Sequence, residues 1–463
     1  MELQNSESNQ MIQTAIPDLL KLLMDEDLVI VQQASILLAQ MSRIEILRSC
    51  LIETEQACEL IVNCLNTTAD IETARNLLST LFGISINTNL GINSILKSNA
   101  LDPLIKILDA PLDILVSLSI SSLHNILLRE DFDIKKQLCE TGLVQKLISL
   151  LNKTENIEFL IILVDCLYLQ THHDMESKKM VYEFGGTHII SNKFMTKSFQ
   201  NIKLDNYFIK LLKSLSVYQS NKPIIINSGI LQKIGDFFSS KKDQNIQEIL
   251  ILLKNLSDQA SKVNYLESLM AFLCNLLTTS ETSVLNKQRV LCILANLTSN
   301  NENNKSFLID LNIVFVLMEN LHKKELIDES LELLKNLCHG SSKYFQVHEQ
   351  MKQCGLEVLR NFFSDKNKIK LLVGIVKIMC KDDKNYECLK NCGLIDRLVF
   401  SLCSRVDLEC IKLCSNCLLF LDKFRQYRDL IKKFLFVFKE MMAFENVEIQ
   451  NIGFYLYCHF VED

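Results

Sequence analysis

The sequence predicts an all-α protein, a right-handed superhelical solenoid built from short helical repeats. Three observations predict this fold: a helix-forming composition, a leucine-centred step that recurs about every 42 residues, and a Gly or Asn at the same place in most periods. The 463 residues are 48% hydrophobic and include only 12 Gly and 4 Pro. A large core is therefore expected, with few residues that break helices.

The recurring step resembles Leu-x-Asn-Leu, and its first leucine (once a valine) serves as an anchor. The anchors are Leu38, Leu81, Leu123, Leu167, Leu212, Leu253, Leu294, Leu334, Val376, Leu418 and Leu456. Periods of roughly 40–47 residues are typical of armadillo and HEAT repeats. Each period holds three helical segments rather than the two of a HEAT repeat, so the pattern predicts about 11–12 armadillo repeats. No linker interrupts them, which predicts one armadillo-repeat domain at 14–463 after a short disordered tail at 1–13.

A residue that tolerates positive φ follows the first short helix of most periods. Gly and Asn adopt this conformation at little cost, so they suit a sharp corner between helices. The predicted corner residues are Asn99, Gly142, Gly186, Gly229, Asn312, Gly355 and Gly393.

Composition also narrows the function. A formal net charge of -6 argues against nucleic acid or an anionic membrane as the main partner, and no apolar run reaches the length of a membrane span. We expect no direct nucleic-acid binding, no membrane insertion and 17 reduced cysteines packed as small apolar residues. Without a phosphate loop or nucleophile motif, neither enzyme activity nor a cofactor is expected.

Two patterns could suggest a metal site. Cys414-x-x-Cys417, with Cys403 and Cys410 nearby, lacks a second pair at zinc-finger spacing and lies in a helical pattern. His172-His173 precedes an aspartate, but repeat corners explain these residues better. We predict structural roles and no metal.

Polar residues recur in phase just after the anchors. The residue two positions on is Asn125, Asn255, Asn296 or Asn336, and the residue one position on is Lys213, Lys254, Lys335 or Lys377. An Asn amide can bond the backbone of an extended peptide, and neighbouring lysines would favour acidic side chains on it. The alternative is a solvated helix face, but recurrence over several periods favours a basic groove.

Several segments resemble the armadillo-repeat domain of the β-catenin family, in order and at near-constant spacing. They are "LLNKT" at 150–154, "ESK" at 176–178, "LSVYQSNKP" at 215–223, "LKNLSD" at 253–258 and "NLTSNNENNK" at 296–305. The resemblance runs from about residue 14 to the end and is most specific in the central repeats. It implies a groove for acidic, extended tails of T-cell-factor/lymphoid-enhancer-factor proteins, cadherins, the adenomatous polyposis coli protein or axin.

The resemblance also implies roles for individual residues. Lys178 and Lys305 match family lysines that pair with ligand carboxylates. Positions that hold Arg in the family carry Lys210, Lys254, Lys335, Lys377 and Gln244, which predicts altered ligand choice because lysine cannot form a bidentate pair with a carboxylate. The complete predicted groove comprises Asn125, Phe159, Lys178, Lys210, Lys213, Lys222, Lys254, Asn255, Asn296, Lys305, Lys335, Asn336 and Lys377.

On this basis we expect a monomeric β-catenin-like scaffold in Wnt signalling, cell adhesion or both, located in the cytoplasm, the nucleus or adherens junctions. We expect it to lack the family's α-catenin-binding and transactivation tails. Two alternatives stay open: an armadillo scaffold with an unrelated peptide ligand, and an import-receptor-type adaptor. The second would need arrays of Trp and Asn, and this chain has no Trp.

Overall fold

The computed structural model describes residues 15–86, 89–197, 201–238, 246–340, 342–403 and 407–461. Throughout these ranges the regular secondary structure is helical. The chain divides into two compact units, Met1–Ser228 and Gly229–Asp463. The predicted tail at 1–13 and Gln244 lie outside the described residues, and the single repeat domain at 14–463 stays a prediction.

Each predicted anchor lies on a long helix and is at most 1% exposed. We number only these long helices: α1 (Leu28–Arg43), α2 (Ile71–Ser85), α3 (Asp113–Leu127), α4 (Ile157–Thr171), α5 (Ile202–Leu215), α6 (Ile246–Ser257), α7 (Val284–Thr298), α8 (Ile327–Cys338), α9 (Lys366–Met379), α10 (Leu408–Leu421) and α11 (Val447–Val461). In the first unit α1 to α5 pack side by side in chain order, and in the second unit α6 to α11 do the same. This arrangement confirms the predicted armadillo-repeat fold.

Shorter helices connect the long ones. In the first unit, besides the helical residues 15–21, they are Leu22–Met24, Glu45–Glu53, Ala57–Thr67, Asn89–Lys97, Leu101–Ile107, Phe132–Glu140, Leu143–Lys153, Met175–Glu183, Gly186–Lys197 and Asn221–Asn227. In the second unit they are Ile230–Phe238, Ala260–Lys262, Glu267–Thr278, Glu302–Asp310, Ile313–Asn320, Lys324–Leu326, Tyr344–Cys354, Glu357–Arg360, Asp383–Asn385, Tyr386–Asn391, Leu394–Phe400, Arg425–Ile431, Lys432–Phe434 and Leu435–Met441. The three-residue segments are 3₁₀ turns.

Polar side chains fix where several long helices begin. Asp70 accepts a hydrogen bond from the backbone N–H of Thr73 at 2.8 Å, and Asn156 accepts one from that of Phe159 at 3.1 Å. The first backbone N–H groups of a helix have no partner within the helix, so such caps define its start.

Most corner predictions are confirmed, since Asn99, Gly142, Gly229, Asn312, Gly355 and Gly393 all have positive φ. The prediction at Gly186 is wrong by one residue. Gly185 has a φ of +68°, whereas Gly186 begins the next helix. A Cβ atom on Gly186 would lie 2.6 Å from Cδ1 of Ile148, so close packing rather than backbone conformation requires this glycine. Gln56 and Tyr265 form left-handed corners that composition did not indicate.

The cysteine pair in α10 is part of the packing. Cys414 and Cys417 are at most 1% exposed, and Sγ of Cys414 lies 3.2 Å from Oγ of Ser401. Burial raises the pKa of the Cys414 thiol to about 11, which disfavours the thiolate that binds metals. In the described ranges no group of three or more His, Cys, Asp or Glu side chains is placed to hold a metal ion. Among those same residues, no helix is both long enough and apolar enough to cross a membrane.

Candidate functional site

The predicted asparagines occupy equivalent positions on the long helices, and three of them bond the preceding repeat. Nδ2 of Asn125 lies 2.9 Å from Oγ of Ser85, and Nδ2 of Asn296 lies 2.8 Å from Oγ of Ser257. Nδ2 of Asn336 donates to the carbonyl oxygen of Ala295 at 2.9 Å. All three side chains are half-buried. An amide has two N–H groups and one acceptor, so these bonds use only part of its capacity.

The two lysines predicted to pair with ligand carboxylates are buried. Lys178, on Met175–Glu183, and Lys305, on Glu302–Asp310, are each 4% exposed. Nζ of Lys305 donates to the carbonyl oxygen of His339, the first residue beyond α8. Nζ of Lys178 lies 3.9 Å from Sδ of Met175. Within the part of the chain that the structure describes, neither lysine forms an ion pair.

Burial alters the acid–base behaviour of both lysines. Desolvation lowers the pKa of Lys178 and of Lys305, and nearby Asp174 and Glu302 only partly oppose this effect. Lys179, the neighbour of Lys178, shows the reverse: its side chain is 43% exposed and lies 3.2 Å from Oε1 of Glu176, which raises its pKa. The chain therefore supplies a carboxylate partner to Lys179 but, in the described residues, none to the adjacent Lys178.

Another buried lysine shows how the chain satisfies such a group internally. Lys193 is 9% exposed, and its Nζ lies 2.7 Å from Oε1 of Glu155 and 2.8 Å from the carbonyl oxygen of Thr154. Burying an ammonium group without a carboxylate is costly. A carboxylate from a ligand would therefore compensate the buried charge of Lys178 or Lys305.

The other predicted lysines have varied surroundings. Nζ of Lys210 lies 5.9 Å from the ring centroid of Tyr168 and 5.5 Å from that of Tyr207, within the range of a cation–π interaction. Nζ of Lys335 lies 3.7 Å from Oε1 of Glu332. The remaining members are exposed Lys254, half-buried Lys213, Lys377 and Asn255, and buried Lys222.

Phe159 lines a cleft that includes none of the other predicted groove residues. It is half-buried in the first turn of α4 and lines a cleft with Val116 and Lys153. This cleft also contains the ion pair of Lys146 and Asp109, so its lining is mixed rather than purely basic.

The structure adds two features that the sequence interpretation missed. Nε2 of His124, one residue after its anchor, lies 2.8 Å from Oδ2 of Asp165, a buried carboxylate. Lys135 is 3% exposed, and its Nζ donates at 3.0 Å to the carbonyl oxygen of His172. A sequence signal for Lys135 did exist, because it lies about one period before Lys178.

No family model matches the chain. Human junction plakoglobin is 30% identical over 397 residues, which are 83% of this chain and 52% of plakoglobin. Catenin beta of Urechis caupo is also 30% identical over 397 residues, covering 83% of this chain and 47% of that protein. The chain is a homologue of β-catenin and junction plakoglobin. It spans about half the length of these relatives.

A solved structure agrees with this relationship at the level of the fold. It concerns a conserved phosphorylation switch that controls the interaction between cadherin and β-catenin. It superposes with a TM-score of 0.75 and 20% identity, covering 94% of this chain and 89% of that one. Because the identity is only 20%, the likeness shows the fold alone, which in this chain is the armadillo-repeat architecture.

Proposed function

We propose that the chain is a β-catenin-like scaffold that binds acidic, extended protein segments, with cadherin tails as the first candidate ligand. The observation that carries the proposal is the burial of Lys178 and Lys305 without a carboxylate partner in the described residues. Homology to β-catenin and junction plakoglobin supports it, as does the likeness to a structure concerned with cadherin and β-catenin.

The chemistry divides between backbone and side-chain recognition. On α3 and α7, Asn125 and Asn296 would bond the ligand backbone with the part of each amide that the preceding repeat does not use. Lys178 and Lys305 would each donate to a ligand carboxylate. Hydrogen bonds between charged groups are stronger than neutral ones, and a partly desolvated ammonium gains more from a carboxylate than a hydrated one does.

The same chemistry suits the acidic segments of T-cell-factor/lymphoid-enhancer-factor proteins, the adenomatous polyposis coli protein and axin. The protein would then act in Wnt signalling, cell adhesion or both, as a monomer in the cytoplasm, the nucleus or adherens junctions. Lysines bind carboxylates as point charges rather than as forks, so ligand choice would depend on the spacing of acidic residues more than on their orientation.

Fluorescence anisotropy with two labelled peptides tests the proposal. One peptide is an acidic cadherin cytoplasmic segment, and the other is the acidic N-terminal segment of a T-cell-factor protein. Lys178→Met and Lys305→Met should each raise Kd about tenfold or more, equivalent to about 1.4 kcal/mol. Lys179→Met is the matched control. It removes the same charge from the next residue, where the lysine belongs to an exposed ion pair, and exposed pairs contribute little to stability.

The tighter peptide would distinguish adhesion from transcription as the main context. Equal binding by wild type and both lysine variants would contradict the proposed site. Binding of neither peptide by the wild-type chain would contradict the proposed ligand class.

A further inference from the structure

Lys135 occupies the same place in its repeat as Lys178 and Lys305 do in theirs. Each of the three lies seven residues before a corner residue with positive φ, namely Gly142, Gly185 and Asn312. Each also lies on the short helix that follows a long one. Lys135 is 3% exposed, whereas Lys136 beside it is exposed.

The contact that Lys135 makes repeats the one that Lys305 makes. Nζ of Lys135 donates at 3.0 Å to the carbonyl oxygen of His172, the first residue beyond α4. Nζ of Lys305 donates to the equivalent carbonyl beyond α8. Carbonyl groups at a helix C-terminus carry partial negative charge. This charge offsets only part of the unit positive charge of a buried ammonium group.

Carboxylates near Lys135 do not complete the compensation. Glu130 and Asp174 raise its pKa, but desolvation is the larger effect and lowers it overall. The carboxylate of Asp174 already accepts the hydroxyl of Ser177 and two backbone N–H groups. The positive charge of Lys135 in turn lowers the pKa of Lys178. In the described ranges, therefore, Lys135 has acidic neighbours but no ion-pair partner.

We infer that Lys135 is a third anchor for a ligand carboxylate, one repeat before Lys178. This inference rests on the proposed function and narrows its ligand class. Neighbouring helices pack about 8–10 Å apart, and an extended chain advances about 3.3 Å per residue. The ligand should therefore carry acidic residues about three positions apart where it passes these two lysines.

The test uses whichever of the two acidic peptides binds wild type more tightly. Lys135→Met should raise its Kd about tenfold, and Lys136→Met, the matched control for charge, should leave it nearly unchanged. Each acidic residue of the peptide is then replaced in turn by its amide. If one acidic residue of the peptide contacts Lys135, its replacement should weaken binding to wild type but change the Kd of Lys135→Met little. Such non-additive effects of two substitutions indicate a direct contact.

Thermal unfolding of each free variant separates binding from folding. If Lys135→Met does not fold, Lys135→Gln replaces it, since glutamine keeps a donor for the carbonyl of His172 but has no charge. Normal binding by the Lys135 variant alongside lost binding by Lys178→Met would leave the proposed function intact and overturn this inference. Weaker binding without coupling to any acidic residue of the peptide would also overturn it. Binding of neither peptide by wild type would overturn both.

Discussion

Nδ2 of Asn296 on α7 lies 2.8 Å from Oγ of Ser257, the last residue of α6. In the first unit, Asn125 on α3 makes the same bond to Ser85, the last residue of α2. The side chain at the candidate peptide-binding position thus also links two long helices. One N–H of the amide stabilises the stack, and this bond holds the rest of the amide in a defined orientation.

Asn296→Ala should therefore affect both folding and binding. Loss of a hydrogen bond of this kind should lower the free energy of unfolding of the second unit by about 1 kcal/mol. The substitution should also weaken binding of the acidic peptides, because a contact with the peptide backbone is lost. Urea denaturation and anisotropy measure the two effects. Ser257→Ala is the companion variant, which should reproduce most of the destabilisation. An unchanged denaturation midpoint in Asn296→Ala would contradict the structural role.

The fold was predictable because its determinants are local and repetitive. All the anchor side chains from Leu38 to Leu456 are buried as expected, since one apolar residue per period suffices to mark the stacked helix. Corners such as Gly142 were predictable for the same reason. Gly186 was misassigned because adjacent glycines look alike in sequence, and only packing against Ile148 distinguishes them.

The candidate site was less predictable, because it depends on contacts between repeats. Periodicity places Asn296 on a face of its helix, but it does not show that Ser257 takes one of its N–H groups. Lys135 was overlooked for a related reason. Periodicity places Lys135 about one repeat before Lys178, but it does not show that both side chains are buried.

Gly186→Ala should destabilise the first unit by about 1–3 kcal/mol, the usual cost of overpacking a core. A Cβ there would lie 2.6 Å from Cδ1 of Ile148. Ile148→Val removes that methyl group, so the double variant should recover part of the loss. Thermal unfolding of the single and double variants measures this. Additive losses would show that Ile148 is not the limiting contact.

Lys178→Met should stabilise the free protein while weakening peptide binding. Methionine fills a similar volume without the cost of burying an unpaired charge, and replacements of buried charges by apolar residues can stabilise by about 1 kcal/mol or more. The melting temperature of wild type, Lys178→Met and Lys179→Met in the absence of peptide provides the comparison. A lower melting temperature for Lys178→Met would indicate that Lys178 is mainly a structural residue.

We expect His348 to make the second unit sensitive to acid. It lies seven residues before the corner at Gly355, as the buried lysines lie before theirs, and it is 1% exposed. Its Nδ1 lies 3.0 Å from Nδ2 of Asn385 and accepts from that amide in the neutral ring. Burial lowers its pKa from 6.5 to about 4.

The imidazole of His348 binds a proton more readily in the unfolded chain than in the folded protein. Its titration should therefore not reduce the free energy of unfolding above pH 6.5. Stability should fall as the pH drops through that value and level off below about 4, with a total loss of roughly 3 kcal/mol. Urea midpoints of wild type and His348→Gln between these limits measure the effect, since glutamine does not titrate. The difference between the two proteins should shrink or change sign towards low pH. Parallel profiles would show that protonation of His348 does not limit acid stability.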